Sequence, residues 1–413
     1  MTRVVLAIAL LVRVVAILVS GLETTTFGDA DAYIRTAETV LTTGSYPDNA
    51  EDLPVFRAPG YPVFLLVSTL GHPRAVVVGK LWNAVLGAAS AVLMAWIAGR
   101  ISRSGKVALA AGLLAAVNPA FVYLATDIQS ECLTILLILL SAIQLLAAVD
   151  GGRSRDAFGA GVFLGLAALT RPSCLVMAPL LLAPLVSGGA GTRLRRSALA
   201  VAGLAVALAP WTARNALRFG AFVPVNDQLG MQVWLGNTQF NVDYYSLKTR
   251  EQYGDLMTRY MHEVEQGRIH EIAVAHPNPS DRSQAFAADA ISWIRRNPRS
   301  WLWLMGKKSL DWLRPWPSPF RWNAAVIVAS GLWYGLLFVL AGVGLVRSGR
   351  HGVSMAAVGV LVLSAAIHIA TVVSWRYRMV FWDPVLVVFA AVGAKALGVP
   401  GLAGGDPIGQ GAE

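Results

Sequence analysis

The stretch Ile128-Gln-Ser-Glu-Cys-Leu-Thr-Ile-Leu-Leu-Ile-Leu-Leu-Ser-Ala-Ile-Gln-Leu-Leu-Ala-Ala-Val149 decides what kind of molecule this is. Beyond Glu131 it carries no charge, and about 20 such residues in a helix span the hydrocarbon core of a bilayer. Similar runs extend outward from it in both directions: Arg3 to Leu22, Val76 to Gly99, Val107 to Ala125, Ala157 to Thr170, Ser173 to Ser187, Ser197 to Ala213, Asn323 to Val346, Val353 to Ser374 and Met379 to Leu397. Ten spans are expected on this count. The fifth and sixth are either separate or one long broken segment, because Arg171-Pro172 falls between them and proline ends or kinks a helix. Composition agrees. Of 413 residues 55% are hydrophobic and only 14% charged, at a mean hydropathy of +0.56, where a soluble chain carries about 25% charge. The expected fold class is an all-α polytopic membrane protein, and a cytosolic enzyme, a secreted disulfide scaffold and a disordered chain are excluded. Cys132 and Cys174, both in apolar runs, supply neither a disulfide framework nor a metal motif.

The 34 Lys and Arg against 24 Asp and Glu leave a net charge of +10, which in a membrane protein reads as topology and implies no nucleic acid. The N-terminal run lacks an A-x-A-like cleavage site at Ser20-Gly21-Leu22-Glu23 and is read as a retained first span. With the N-terminus inside, every inner loop is basic: Arg3; Arg100, Arg103 and Lys106; Arg153 and Arg155; Arg193, Arg195 and Arg196; Arg347 and Arg350. The first outer loop, 23–75, instead holds Glu23, Asp29, Asp31, Glu38, Asp48, Glu51 and Asp52 against Arg35, Arg57 and Arg74. Both termini are therefore expected in the cytoplasm. The chain divides into an N-terminal membrane region (1–213), an extracytoplasmic, largely helical segment (214–322), C-terminal membrane helices (323–397) and a disordered tail (398–413).

Two outer segments need elements of their own. In the first, Ala30 to Leu41 is amphipathic, and the apolar Tyr61 to Leu70 is too short to span and should lie at the interface. In the second, two helices are expected over Asp281 to Arg296 and Arg299 to Leu313, separated by Asn297-Pro298. The latter helix, with Trp301, Trp303, Trp312, Lys307 and Lys308, has the make-up of one resting among lipid headgroups.

Charges at the rim of a membrane bundle are expensive, so each is a candidate for function. Asp29 and Asp31, in Phe27-Gly28-Asp29-Ala30-Asp31-Ala32-Tyr33, suit a carboxylate that takes a proton from an acceptor hydroxyl, a D-x-D pair holding Mg or Mn, or simple helix capping. Asp127 and Glu131 are expected one turn apart on one face of the fourth span. They could bind a substrate hydroxyl or assist a metal, or complement a helix N-terminus. Arg171, Arg376 and Arg378 break the rule that outer rims are poor in arginine, and their guanidinium groups suit a phosphate or pyrophosphate. Arg214 and Asn215 stand at the same level. The bland alternative for all of these is snorkelling beside Trp and Tyr. His368, inside the ninth span, is expected to be a hydrogen-bonded core histidine. No Walker loop, dinucleotide fingerprint or nucleophile elbow is present.

In order along the chain, Asp29-Ala30-Asp31-Ala32-Tyr33, Gly44-Ser45-Tyr46-Pro47, Arg57-Ala58-Pro59-Gly60-Tyr61-Pro62, Glu131, Leu169-Thr170-Arg171-Pro172, Pro210-Trp211 with Arg214-Asn215, Asn226, Gly236-Asn237 and Arg376-Tyr377-Arg378 with Pro384 resemble membrane glycosyltransferases of the GT-C class. The resemblance is in particular to bacterial relatives of protein O-mannosyltransferases and of the lipid A aminoarabinose transferase. It implies a helical bundle whose first extracytoplasmic loop forms the active site with the outer ends of later spans. It also implies a polyprenyl-phosphate-linked sugar as donor and transfer with inversion to an extracytoplasmic acceptor hydroxyl on a glycan, lipid or protein. Carried over, Asp29 is the general base, with Asp31 as neighbour or substitute. Arg57 and Tyr61 shape the substrate pocket beside Tyr33, and Arg171, Arg376 and Arg378, with Tyr377 among them, hold the lipid phosphate. Ala30 separates the acids where some relatives have an adjacent pair, so the base is either Asp29 or Asp31. A divalent cation, Mg or Mn, held by Asp29, Asp31 or Glu131, stays open as a cofactor. The competing class is a transporter or flippase of a lipid-linked or small anionic substrate, which usually shows inverted repeats and midplane charges. A catalytically dead envelope scaffold is a third.

Overall fold

The computed structural model describes residues 1–25, 28–48, 57–150, 153–186, 190–349 and 351–402. Phe27, Glu51, Asp52, Ser187, Arg350 and the tail from 403 onward lie outside the described residues. Those described contain helices and no strand. In chain order they are α1 (Thr2–Ser20), α2 (Gly28–Thr43), α3 (Gly60–Ser68), α4 (Val76–Ser102), α5 (Gly105–Val117), α6 (Pro119–Leu124), α7 (Glu131–Val149) and α8 (Ser154–Thr170). A tighter 3-10 run, Pro172–Val186, leads to α9 (Ala190–Phe219). The segment between membrane regions holds α10 (Gln228–Gly236), α11 (Gln239–Ser246), α12 (Arg250–Arg259), a wider π-type run Tyr260–Ile269, α13 (His270–Ala275), α14 (Pro279–Arg296) and α15 (Pro298–Leu313). The chain closes with α16 (Ala324–Arg347), α17 (His351–Ala370) and α18 (Trp375–Ala396).

Seven of these helices, α1, α4, α7, α9, α16, α17 and α18, are long and apolar enough to cross a membrane. The other three expected spans are helical but shorter. Asn118 caps α6 by accepting from Ala120 and Phe121 N–H groups, which divides Val107 to Ala125 into α5 and α6. The Arg171-Pro172 step separates α8 from the 3-10 run, with Arg171 extended (φ −139°, ψ 110°) as a residue before proline must be. The helices expected around Asn297-Pro298 are present as α14 and α15, and Pro298 opens α15 at its first turn, where its missing N–H removes no bond. One expectation is corrected. The fourth span begins at Glu131, and Asp127 lies in the turn before it, where its Oδ1 accepts from the Ile128 N–H at 2.7 Å. Asp127 and Glu131 therefore do not share a helical face.

Small residues let the membrane helices approach closely. A Cβ on Gly161 of α8 would lie 1.8 Å from the Ala200 carbonyl of α9, and one on Gly393 of α18 would lie 1.9 Å from the Leu340 carbonyl of α16. Arg13, fully buried in α1, donates to the Ala9, Ala115 and Ala116 carbonyls at 3.0, 3.3 and 3.1 Å. The last two belong to the end of α5, whose final carbonyls have no partner within the helix. The charge thus closes a short helix inside the bundle. Both cysteines are buried and free. The first turns of α2, α7 and α18 and the residue after α8, Arg171, converge at one end of the bundle, and the polar candidates gather there.

Candidate functional site

Asp29 stands in the first turn of α2 with both carboxylate oxygens engaged: Oδ1 accepts from Arg57 Nη1 at 3.0 Å and Oδ2 from Arg376 Nη2 at 2.7 Å. Arg376, in the first turn of α18, also sets its Nε 2.8 Å from Glu131 Oε1, and Arg171 Nη1 lies 2.9 Å from the same oxygen. Arg376 is therefore a bridge between two carboxylates, and its remaining Nη1 donates to Gln129 Oε1 at 3.1 Å. Glu131 is fully buried, while Asp29 keeps 27% of its side chain exposed. Among the described residues, the cluster brings three guanidinium groups, of Arg57, Arg171 and Arg376, to two carboxylates, of Asp29 and Glu131.

Aromatic rings complete the walls. Tyr377 lies beneath Arg171 and Arg376, 5.0 and 5.8 Å from their guanidinium carbons, and Arg57 sits 5.8 Å from the Tyr33 ring. The Tyr33 hydroxyl donates to Ser130 Oγ at 3.2 Å, and Arg171 Nη1 donates to the same oxygen at 3.3 Å. Tyr61, fully buried, meets the Tyr33 ring edge-on at 4.8 Å and accepts from Asn83 Nδ2 at 3.3 Å. Burial opposes the charged form of Asp29. The nearby guanidinium groups of Arg376, Arg57 and Arg171 outweigh it and hold the carboxyl below the ordinary carboxylate range.

The other expected residues divide into support and outliers. Arg214 Nη2 donates to the Tyr46 carbonyl at 2.8 Å and to Asp48 Oδ1 at 3.2 Å, and the Tyr46 hydroxyl donates to the Arg57 carbonyl at 2.9 Å. Arg214 thus holds Tyr46, whose hydroxyl in turn holds the Arg57 carbonyl. Asn215 Nδ2 binds the Val223 and Val225 carbonyls at 2.9 and 3.2 Å and closes the turn after α9. Asp31 is exposed on the solvent side of α2. Arg378 is not brought to the cluster: it is buried among Tyr334, Phe338 and Trp375 and donates to the Trp312 and Arg314 carbonyls. His368 is buried, stacked between Trp312 and Tyr377 at 5.2 and 4.9 Å. Gln129 and Ser130 touch the cluster without having been singled out; their adjacency to Glu131 was the available signal.

The acids do not fit a divalent cation. Both Asp29 oxygens and Glu131 Oε1 face guanidinium nitrogens, Asp31 stands apart, and among the described residues no group of three His, Cys, Asp or Glu could hold a metal.

Residues 65–213 match the family model described as dolichyl-phosphate-mannose-protein mannosyltransferase. The chain's resemblance to GT-C membrane glycosyltransferases is thereby seen over a stretch that contains Glu131 and Arg171 and stops short of Asp29, Arg57 and Arg376. Among solved structures, the chain is similar to ArnT from Cupriavidus metallidurans bound to undecaprenyl phosphate, at 16% identity and a TM-score of 0.45, over 96% of this chain and 78% of that one. The apo state of the same ArnT gives 16% identity and a TM-score of 0.42, over 96% and 77% of the two chains. No curated protein sequence matches.

Proposed function

We propose that this protein is a membrane glycosyltransferase that moves a sugar from a polyprenyl-phosphate-linked donor to an acceptor hydroxyl on the extracytoplasmic side, with inversion and with Asp29 as base. The observation that carries the reading is the double engagement of Asp29 by Arg57 and Arg376 in a cluster where Arg171 also converges. The matched family description supports it, since it names a sugar on dolichyl phosphate as donor. The basic loops at the opposite ends of the helices support an outward-facing site.

The chemistry requires little beyond these groups. The acceptor oxygen attacks the anomeric carbon, its proton passes to Asp29, and the bond from that carbon to the phosphate oxygen breaks with its electron pair leaving on the polyprenyl phosphate. Guanidinium groups already aimed into a partly buried site stabilise the charge that develops on the leaving group. An incoming phosphate competes with Asp29 for Arg57 and Arg376. As their field shifts to the phosphate, the carboxylate gains proton affinity, so the base is strengthened when donor is present. Arg171 and Glu131 hold Arg376 from its other side, and the apolar tail of the donor stays among the membrane helices.

Mass spectrometry of envelope lipids and glycans, with and without the gene, tests the reading. A polyprenyl-linked sugar that accumulates in the mutant, together with a missing glycosylated product, is expected. No such donor, with solute movement by the purified protein in vesicles, would instead favour a transporter.

A further inference from the structure

Two motifs singled out in the sequence, Gly236-Asn237 and Lys307-Lys308, lie outside the cluster and meet at the end of α17. Lys308 is 1% exposed on the inner face of α15 and donates to the Ile369 and Thr371 carbonyls at 3.0 and 2.6 Å. Asn237, 2% exposed, donates to the Ala370 carbonyl between them at 2.8 Å, while its Oδ1 accepts from Trp301 of α15 at 3.1 Å. Three successive carbonyls at a helix end, which have no partner within the helix, are thus bound by the segment that follows α9. A Cβ on Gly236 would lie 1.7 Å from the Thr371 carbonyl, so only glycine lets α10 end against this point. On the far side of the 371–374 link, Arg378 of α18 donates to the Trp312 and Arg314 carbonyls at the end of α15. α15 is therefore tied to both helices that flank the link, and the link leads directly into the first turn of α18, which carries Arg376.

We infer that Lys308 and Asn237 are positioning residues for Arg376: by gripping the end of α17 they set where the link presents that guanidinium to Asp29 and Glu131. The inference rests on the phosphate-binding role given to Arg376 above. Stability alone does not account for the arrangement, because a buried lysine facing carbonyls is a costly way to fill a space that an apolar side chain would fill. What it supplies is a directional hold on the backbone five residues before Arg376.

The test uses the full chain in nanodiscs with Lys308→Met and, as a smaller cut should that variant fold poorly, Asn237→Ala. Amide hydrogen exchange over 370–378 is expected to quicken while protection in α4 and α7 is kept; unchanged exchange in both variants overturns the grip. Binding of polyprenyl phosphate is then measured in a cycle with Arg376→Ala. Lys308→Met is expected to weaken it roughly tenfold, and the double variant to bind no worse than Arg376→Ala alone. Losses that multiply, or no loss in either variant, overturn the positioning role. Intact binding in Arg376→Ala overturns the phosphate role itself, and exchange then reports on the grip separately.

Discussion

Arg376 and Arg378 are two positions apart and do opposite work. On a helix two residues diverge by about 200°, so a pair that reads as one basic cluster in the sequence is divided between two faces of α18. Arg376 reaches Asp29 and Glu131, and Arg378 enters an aromatic box. Arg376→Ala should weaken binding of polyprenyl phosphate at least tenfold, as expected for loss of a charge-assisted contact, in a titration of the purified protein. Arg378→Ala should chiefly lower thermal stability, by about 2–4 kcal/mol, since it empties a box built around a buried cation. Asp29 carries a pH prediction. Its carboxyl is held below the ordinary value of about 4. The stability from its ion pairs is therefore full above that value and lost as pH falls through the lower folded value. Acid unfolding of Asp29→Asn followed against the parent should show this contribution missing at neutral pH and the two curves converging only in strong acid. That acids and arginines would gather at one end of the bundle was legible from their placement against the charge rule. Which acid met which arginine was not, because Asp29 and Arg376 are 347 residues apart.

Among the elements, hydropathy located the long helices, and the Asn297-Pro298 step located the break between α14 and α15. The short pieces were harder. Arg13 reads only as a flaw in an apolar run, because the carbonyls it caps belong to α5, 102 and 103 residues away. Arg13→Leu should leave those carbonyls unpaired and lower stability by about 2–3 kcal/mol in thermal unfolding. Asp127 and Glu131 show the converse error: their spacing of four fits a helix, but α7 starts only at Glu131. In α15, burial pushes the Lys308 ammonium down to about 7. The unfolded chain then holds more protons than the folded one between about pH 7 and the ordinary lysine value of about 10.4, so stability should rise with pH across that window. The difference in unfolding free energy between the protein and Lys308→Met should show this rise, and a flat difference would remove the lysine from the account.

At the scale of the whole molecule, the shortage of charge establishes membrane residence, and the few charges present then mark ends. The helix ends that carry Asp29, Glu131, Arg171 and Arg376 form one polar cluster, with the 214–322 segment packed beside it through α10 and α15. In the proposed function the apolar tail of the donor stays among the membrane helices while its phosphate meets the arginines at the rim. In the proposed mechanism Asp29 takes the acceptor's proton. The most direct test of this step is sugar transfer from a polyprenyl-phosphate donor by Asp29→Asn and Asp31→Asn proteins of confirmed fold and donor affinity. Transfer is expected to be abolished in Asp29→Asn, a fall of at least about a hundredfold, and retained in Asp31→Asn; full transfer by Asp29→Asn would rule out Asp29 as the base.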